Sequence, residues 1–296
     1  LGLAISAMFL AIALRHLELP RVWQALQTAR YWWIVPGVAV YFFAVWGRTW
    51  RWHYLLRPLK QVLLRRLFPV VTIGYMGNNV YPARAGEVIR AYVLRRKEGV
   101  SISASLATII VERMFDGLVM LIFVFIGLPF TPMPGWLQRM VILASALFFG
   151  ALVVFFIFAV RPQWARAIYE PLARRLLPER WREPVVGVFE RFVEGLSSLR
   201  SGRDVLMIFV TSLVIWLAET VKYWFVMHAF TAPGSGFPVP FYVLMLMNGV
   251  VNLATTIPSS PGYVGTFDLP GIEILNIFGV VRDVAAAYTL VLHAAL

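Results

Sequence analysis

Three charged residues fall within five positions of an otherwise apolar run: Glu112, Arg113 and Asp116. Glu112 and Asp116 are four apart, which puts both carboxylates on one face of a helix, and Arg113 stands within pairing reach of Asp116. Glu219 and Lys222 are likewise three apart in a second apolar run. A charge held among lipid tails costs about 2.5–3.5 kcal/mol on insertion scales, so such groups face a bundle interior or a polar cavity. There they can hold a lipid head group, pass protons, or lock helices together. Helix locking accounts for Glu219 and Lys222 as well as function does. Three charges in five residues exceed what a lock needs, so Glu112, Arg113 and Asp116 are read as a head-group or proton site.

Arg84 and Arg90 suit a phosphate, which arginine holds by charge-assisted and partly bidentate hydrogen bonds. A helix starting near Gly86 would add backbone N–H donors. Arg90, Arg95, Arg96 and Lys97 also fit cations that snorkel to the membrane interface. Arg84 does not, because it lies in a break between apolar runs. No HExxH, Walker A or nucleophile-elbow motif occurs. His16, His53, His228 and His293 are scattered and receive no role, and cysteine is absent. No metal and no cofactor is expected.

The elements that position these residues are membrane helices. Of 296 residues 60% are hydrophobic and 14% charged, with mean hydropathy +0.74, against about 25% charged in a soluble domain. The net charge of +12 sits between apolar runs, which favours anionic lipid head groups over nucleic acid. Apolar runs cover 1–14, 31–47, 67–81, 101–129, 141–160, 205–230 and 284–296. The first and last look truncated, so the natural chain is expected to extend beyond both ends. Basic segments at 48–66, 84–97 and 161–203 are placed in the cytoplasm. The segment 161–203 is then a cytoplasmic loop, partly helical, on the membrane surface. Because 67–97 starts and ends on that side, it is expected to dip in and return as a re-entrant hairpin.

A weak internal repeat supports this. Asn, Pro, Gly and an acid follow one another in Gly77-Asn-Asn-Val-Tyr-Pro-Ala-Arg-Ala-Gly-Glu87, through Asn78, Asn79, Pro82, Gly86 and Glu87. They do so again from Asn252 to Asp268, through Pro258, Pro261, Gly262 and Gly265. Paired, Gly/Pro-interrupted segments are the best sequence pointer to a transporter site, since broken helices persist only in protein or beside a polar cavity. The second hairpin spans 239–280. Ordinary proline-kinked helices are the competing reading. The expected fold is all-α: a single polytopic domain over 1–296, with about six to eight transmembrane helices at about 20 residues each. Two re-entrant hairpins, related as an inverted repeat, complete it.

Three stretches, 77–94, Ile109-Ile-Val-Glu-Arg-Met-Phe-Asp116 and Ile257-Pro-Ser-Ser-Pro-Gly-Tyr-Val-Gly-Thr-Phe267, resemble in order and spacing the transmembrane region of the lysylphosphatidylglycerol synthase/flippase family. The resemblance runs from about residue 5 to the end and matches Asn79, Pro82, Arg84, Gly86, Glu87, Glu112, Arg113, Asp116, Pro258, Pro261, Gly262 and Gly265. It implies movement of an anionic or aminoacylated phospholipid between leaflets of a bacterial inner membrane, without the aminoacyltransferase domain of bifunctional members and so without an enzymatic reaction. Arg84 and Arg113 would contact the phosphate, with Asn78 and Asn79 as neutral partners and the carboxylates orienting the arginines. Arg90, Glu219, Lys222 and Asp268 complete the expected substrate site. Membrane phospholipids are the expected partners, and a homo-oligomer is compatible with the sequence. A transferase acting on a lipid carrier, and a scaffold for a separate synthase, are the alternatives.

Overall fold

The computed structural model describes residues 2–15, 17–81, 84–131, 135–176, 178–257 and 260–295. The expected breaks at Pro82 and Pro258 lie outside the described residues, as does His16. The described residues are 83% helix and contain no strand. Thirteen α-helices follow in order among them: α1 (Gly2–Leu14), α2 (Leu19–Thr28), α3 (Ile34–Leu56), α4 (Leu64–Val80), α5 (Ala85–Glu98), α6 (Ile102–Gly127), α7 (Gly135–Val160), α8 (Pro162–Leu176), α9 (Glu179–Gly195), α10 (Gly202–His228), α11 (Phe241–Ala254), α12 (Asp268–Ile277) and α13 (Arg282–Ala294).

Local chemistry sets the ends that matter for the site. Ser101 caps α6 by accepting the Ala104 N–H at 3.2 Å, and Ser201 caps α10 by accepting that of Asp204 at 3.3 Å. Each hydroxyl satisfies a donor the helix leaves orphaned. Gly99 closes α5 in the left-handed conformation, φ 74°, its N–H reaching the Arg95 carbonyl at 2.9 Å.

The helices are inside-out relative to a soluble bundle. On α3, Val35, Val38, Phe42 and Trp46 are exposed, while Arg48, Arg51, Trp52 and Leu55 on the opposite face are buried. An apolar exterior over a charged interior suits a lipid solvent.

α3 packs along α10. A side chain at Gly37 would meet Phe225, and one at Gly47 would meet Ile215. Ten residues forward on α3 thus match ten residues back on α10, so the pair is antiparallel. α4 and α5 fold against each other the same way. Gly77 faces Gly86, and Gly74 faces Arg90, farther from the break on both sides. At Gly86 a Cβ would collide with the Gly74 carbonyl oxygen, so only glycine permits this approach. α11 packs on α6, with α12 and α13 beyond it.

By length and composition, Gly202–His228 is the one helix among the described residues that qualifies as an unbroken membrane span, and two bent helix pairs would raise the number to three. α6 is 26 residues long, but Glu112, Arg113 and Asp116 interrupt its apolar stretch. Residues 162–195 form α8 and α9, joined by an Arg166–Glu190 ion pair at 2.8 Å and a stacked Tyr169–Phe189 pair at 5.3 Å, and α9 packs on α6.

Candidate functional site

Six helices and two breaks converge on one cavity of about 320 Å³, α11 through Asn252 and α13 through His293. α3 contributes Tyr41 and Arg48, α4 contributes Tyr75, Asn78 and Asn79, α6 contributes Arg113 and Asp116, and α10 contributes Trp216 and Glu219. Arg84 reaches it from the first break, and Gly262 and Tyr263 from the second.

The wall is an ion-pair network. Arg51, fully buried, sets Nη1 2.5 Å from Asp116 Oδ1 and Nη2 3.3 Å from Oδ2, with Ser212 Oγ at 2.7 Å and Glu112 Oε1 at 3.6 Å. Trp216 Nε1–H donates to the same Asp116 oxygen at 2.7 Å. Arg90 pairs with Glu112 Oε2 and lies 4.3 Å from the centre of the Trp52 ring. Arg113 stands 3.5 Å from Asp116 and 3.4 Å from Glu87. Across the cavity, Glu219 is held at 2.7 Å by Arg48 and at 2.7 Å by Lys222. Buried ions persist in a low-dielectric interior when paired in this way.

Arg84 links the two breaks. It adopts φ 54°, uncommon for a side-chain-bearing residue. Its guanidinium donates to the Thr255 carbonyl at 3.2 Å and lies 5.7 Å from the Tyr263 ring centre. Glu87 is 4.0 Å from it. Six cations of the network, Arg48, Arg51, Arg84, Arg90, Arg113 and Lys222, face four carboxylates, Glu87, Glu112, Asp116 and Glu219. Two positive charges remain uncompensated. Tyr75 Oη, Asn78 Oδ1 and Arg113 Nε have no hydrogen-bond partner among the described residues.

At the second break, Asp268 accepts the Gly265 N–H at 2.8 Å and meets His293 Nδ1 at 2.8 Å. His293 Nε2 faces the Gly262 carbonyl at 2.5 Å. Pro261 begins the short 3-10 turn Pro261–Tyr263 beside them.

Of the residues singled out in the sequence, Asn78, Asn79, Arg84, Arg113, Asp116, Glu219 and Gly262 line the cavity. Glu87, Arg90, Glu112 and Lys222 stand behind that wall as ion-pair partners, and Asp268 anchors the second break. Arg90 is buried with Glu112, not snorkelling, whereas Arg95, Arg96 and Lys97 do not share that burial. Two readings need correction. Arg48 and Arg51, assigned to a cytoplasmic basic patch, lie inside α3 on the face that meets α6 and α10. The spacing of three put them on one helix face, but their acid partners are far along the chain. His293, given no role, is bonded at both ring nitrogens. Among the described residues no cluster of three or more His, Asp or Glu is arranged to hold a metal ion.

A chain with an apolar exterior, a charged interior and interrupted helices beside a cavity is a membrane-embedded protein. It belongs to the family defined by the lysylphosphatidylglycerol synthase TM region, whose family model matches residues 1–296. Similar proteins include the glycosyltransferase AglD of Haloferax volcanii, 27% identical over 88% of this chain and 46% of that protein. A UPF0104 membrane protein of Methanothermobacter thermautotrophicus is 25% identical over 92% of this chain and 81% of its own length. A second from the same organism is 25% identical over 97% and 86%. The chain thus spans less than half of the first of these relatives. No solved structure matches.

Proposed function

We propose that the chain moves a lipid with an anionic head group between bilayer leaflets, holding the head group in the cavity while the acyl tails stay in lipid. The observation that carries this reading is the surplus of two positive charges in a buried network that opens on the cavity through Arg84 and Arg113. Arginine's planar fork suits phosphate. Tyr75, Asn78 and Asn79 add neutral hydrogen-bonding capacity, and a volume of about 300–1,000 Å³ is usual for a small-molecule site. The carboxylates would also accept a head-group amine, as in an aminoacylated phospholipid. Segments 67–97 and 239–280 are proposed as re-entrant hairpins of an inverted repeat, within about six to eight crossings, giving access alternately from each side. A bacterial inner membrane and self-association belong to the same proposal. The relatives named above are archaeal, and the mechanism asks only for a cell membrane.

The test is exchange in liposomes carrying fluorescent phosphatidylglycerol, an aminoacylated analogue or a zwitterionic control, read by quencher accessibility. Protein-dependent exchange of the anionic or aminoacylated lipid, lost in Arg84→Gln, is expected. Silence for every lipid with folded protein would overturn the reading.

The name of the Haloferax relative favours a second reading, in which the chain serves glycosyl transfer to or from a lipid carrier. Glu87, Glu112 and Asp116 would be the bases available. Each already has a guanidinium within 4.0 Å and so belongs to the ion-pair network that joins the helices. Transport is therefore preferred over chemistry in this chain, and over a purely scaffolding role.

A further inference from the structure

His293 sits on α13 with an acceptor at each ring nitrogen. Nδ1 is 2.8 Å from Asp268 Oδ1, and Nε2 is 2.5 Å from the Gly262 carbonyl oxygen. A neutral imidazole carries one N–H and one lone pair, so it can donate to only one of these acceptors. An imidazolium donates to both. The geometry therefore matches the protonated ring.

What the ring holds is a strained turn. Gly262 and Tyr263 have φ 68° and 61°, and Gly265 has φ 83°. Tyr263 pays for that conformation, because its Cβ crowds the backbone there. Strained backbone persists where surrounding contacts over-determine it. Here the contacts are His293 to Gly262, Asp268 to the Gly265 N–H at 2.8 Å, and Ser6 Oγ to the Ser260 N–H at 2.8 Å. The turn also carries Tyr263, which forms a cavity wall and lies under the Arg84 guanidinium.

We infer that His293, Asp268 and the Gly262 carbonyl form a proton-binding site that controls access to the cavity: with the proton bound, the turn is tied to α13, and without it the Gly262 tie is lost. Deprotonation of Nε2 leaves two lone pairs facing each other across 2.5 Å, while Nδ1–H keeps its bond to Asp268. The turn is then held from one side fewer, and the cavity wall at Tyr263 loosens. This deepens the transport reading by naming a coupling ion, and it rests on that reading only for its link to lipid movement.

The charged surroundings do not offer a rival for this proton. From α12, Asp268 meets the ring directly. Arg48 from α3, Arg84 from the first break, Arg113 and Asp116 from α6 and Glu219 from α10 share the cavity, with Glu87 of α5 behind it, and each carboxylate is already paired to a cation. Tyr41, Tyr75, Tyr223 and Tyr263 are the phenols lining the same cavity. Asp283, Arg282 and Glu18 beside α2 lie toward the opposite end of α13, about 15 Å away at 1.5 Å per residue. α1 carries no charged residue.

Hydrogen–deuterium exchange of the full chain in lipid nanodiscs, from pH 5.5 to 8, reads the turn without reference to transport. Amides of residues 262–267 should exchange at least about tenfold faster at pH 8 than at pH 5.5, after correction for intrinsic rates, as expected when a charge-assisted hydrogen bond is lost. His293→Gln should abolish the difference, and His228→Gln should leave it intact. A turn whose protection does not change with pH, or a change that survives in His293→Gln, overturns the proton site. A pH-dependent turn in protein that exchanges no lipid supports the proton site and removes the transport reading instead.

Discussion

Arg51 and Asp116 are 65 residues apart in sequence and meet through two contacts, Nη1–Oδ1 at 2.5 Å and Nη2–Oδ2 at 3.3 Å, with no solvent reaching the guanidinium. This pair joins α3 to α6, and Ser212 Oγ and Trp216 Nε1 bring α10 to the same atoms. Arg51 also lies 3.6 Å from Glu112, the partner of Arg90. This side of the cavity wall is thus one connected network, and its members depend on each other.

Removing one member should therefore cost more than removing a pair. Arg51→Met takes away the cation that contacts both Asp116 oxygens, leaving Arg113 at 3.5 Å, and weakens the hold on Glu112; breaking a buried pair typically costs about 3–5 kcal/mol. Replacing both partners, as Arg51→Met with Asp116→Leu, leaves no stranded charge at that contact and should recover a large part of the loss. Thermal unfolding in detergent of the two single variants and the double variant checks this. Additive losses would show that the pair is not coupled.

Much of the scaffold is legible in the sequence, because apolar runs and their punctuation are local. The runs 101–129, 141–160 and 205–230 become α6, α7 and α10, and the segment 239–280 holds the two short helices α11 and α12. The site is less legible, because its pairings are not local. Arg48 and Arg51 read as part of a basic patch, since no acid lies near them in the chain. Their partners are Glu219 on α10 and Asp116 on α6. The clue was periodicity: with Trp52 and Leu55 they continue a single buried face beyond the apolar run. α2 was missed because ten residues containing Pro, Arg and two Gln give little apolar signal. The His293–Asp268 bond joins residues 25 apart across two short helices, and no spacing rule connects them.

Arg84 should separate function from folding. Its side chain is 25% exposed and its contacts are to Thr255, Tyr263 and Glu87. A partly solvated ion pair at 4.0 Å contributes about 0–1 kcal/mol. Arg84→Gln is expected to lower lipid exchange at least about tenfold, the loss of a phosphate-binding guanidinium, with a small change in melting temperature. Equal loss of exchange and stability would assign Arg84 to the fold alone.

Gly86 tests the packing of the first helix pair. A Cβ there would strike the Gly74 carbonyl and lie 2.6 Å from the Asn78 backbone nitrogen. Gly86→Ala should destabilise by about 1–3 kcal/mol, the usual cost of overpacking. Gly150→Ala, where a Cβ meets nothing within 4 Å, should be neutral or stabilising by up to about 1 kcal/mol, the helix-propensity gain. Melting temperatures of the two variants measured side by side decide whether the α4–α5 approach is as tight as described.

The triad of Arg48, Glu219 and Lys222 makes an asymmetric prediction. Glu219 lies between two cations, each at 2.7 Å. Lys222→Met leaves Arg48 and Glu219 as a neutral pair and forfeits cation–π contacts of Lys222 with Tyr41 at 5.2 Å and Tyr223 at 5.6 Å. Such contacts are worth about 0.5–2 kcal/mol, so Lys222→Met should be tolerated. Glu219→Gln leaves two buried cations without a carboxylate and should cost about 3–5 kcal/mol. The same two variants move the cavity charge in opposite directions, because Lys222→Met removes one positive charge and Glu219→Gln adds one. If the surplus positive charge attracts the head group, Lys222→Met should weaken exchange of anionic lipid while folding normally. Stability and exchange measured on the same preparations check both halves. A Lys222→Met protein that unfolds, beside a Glu219→Gln protein that does not, would reverse the assignment of Glu219 as the centre of the triad.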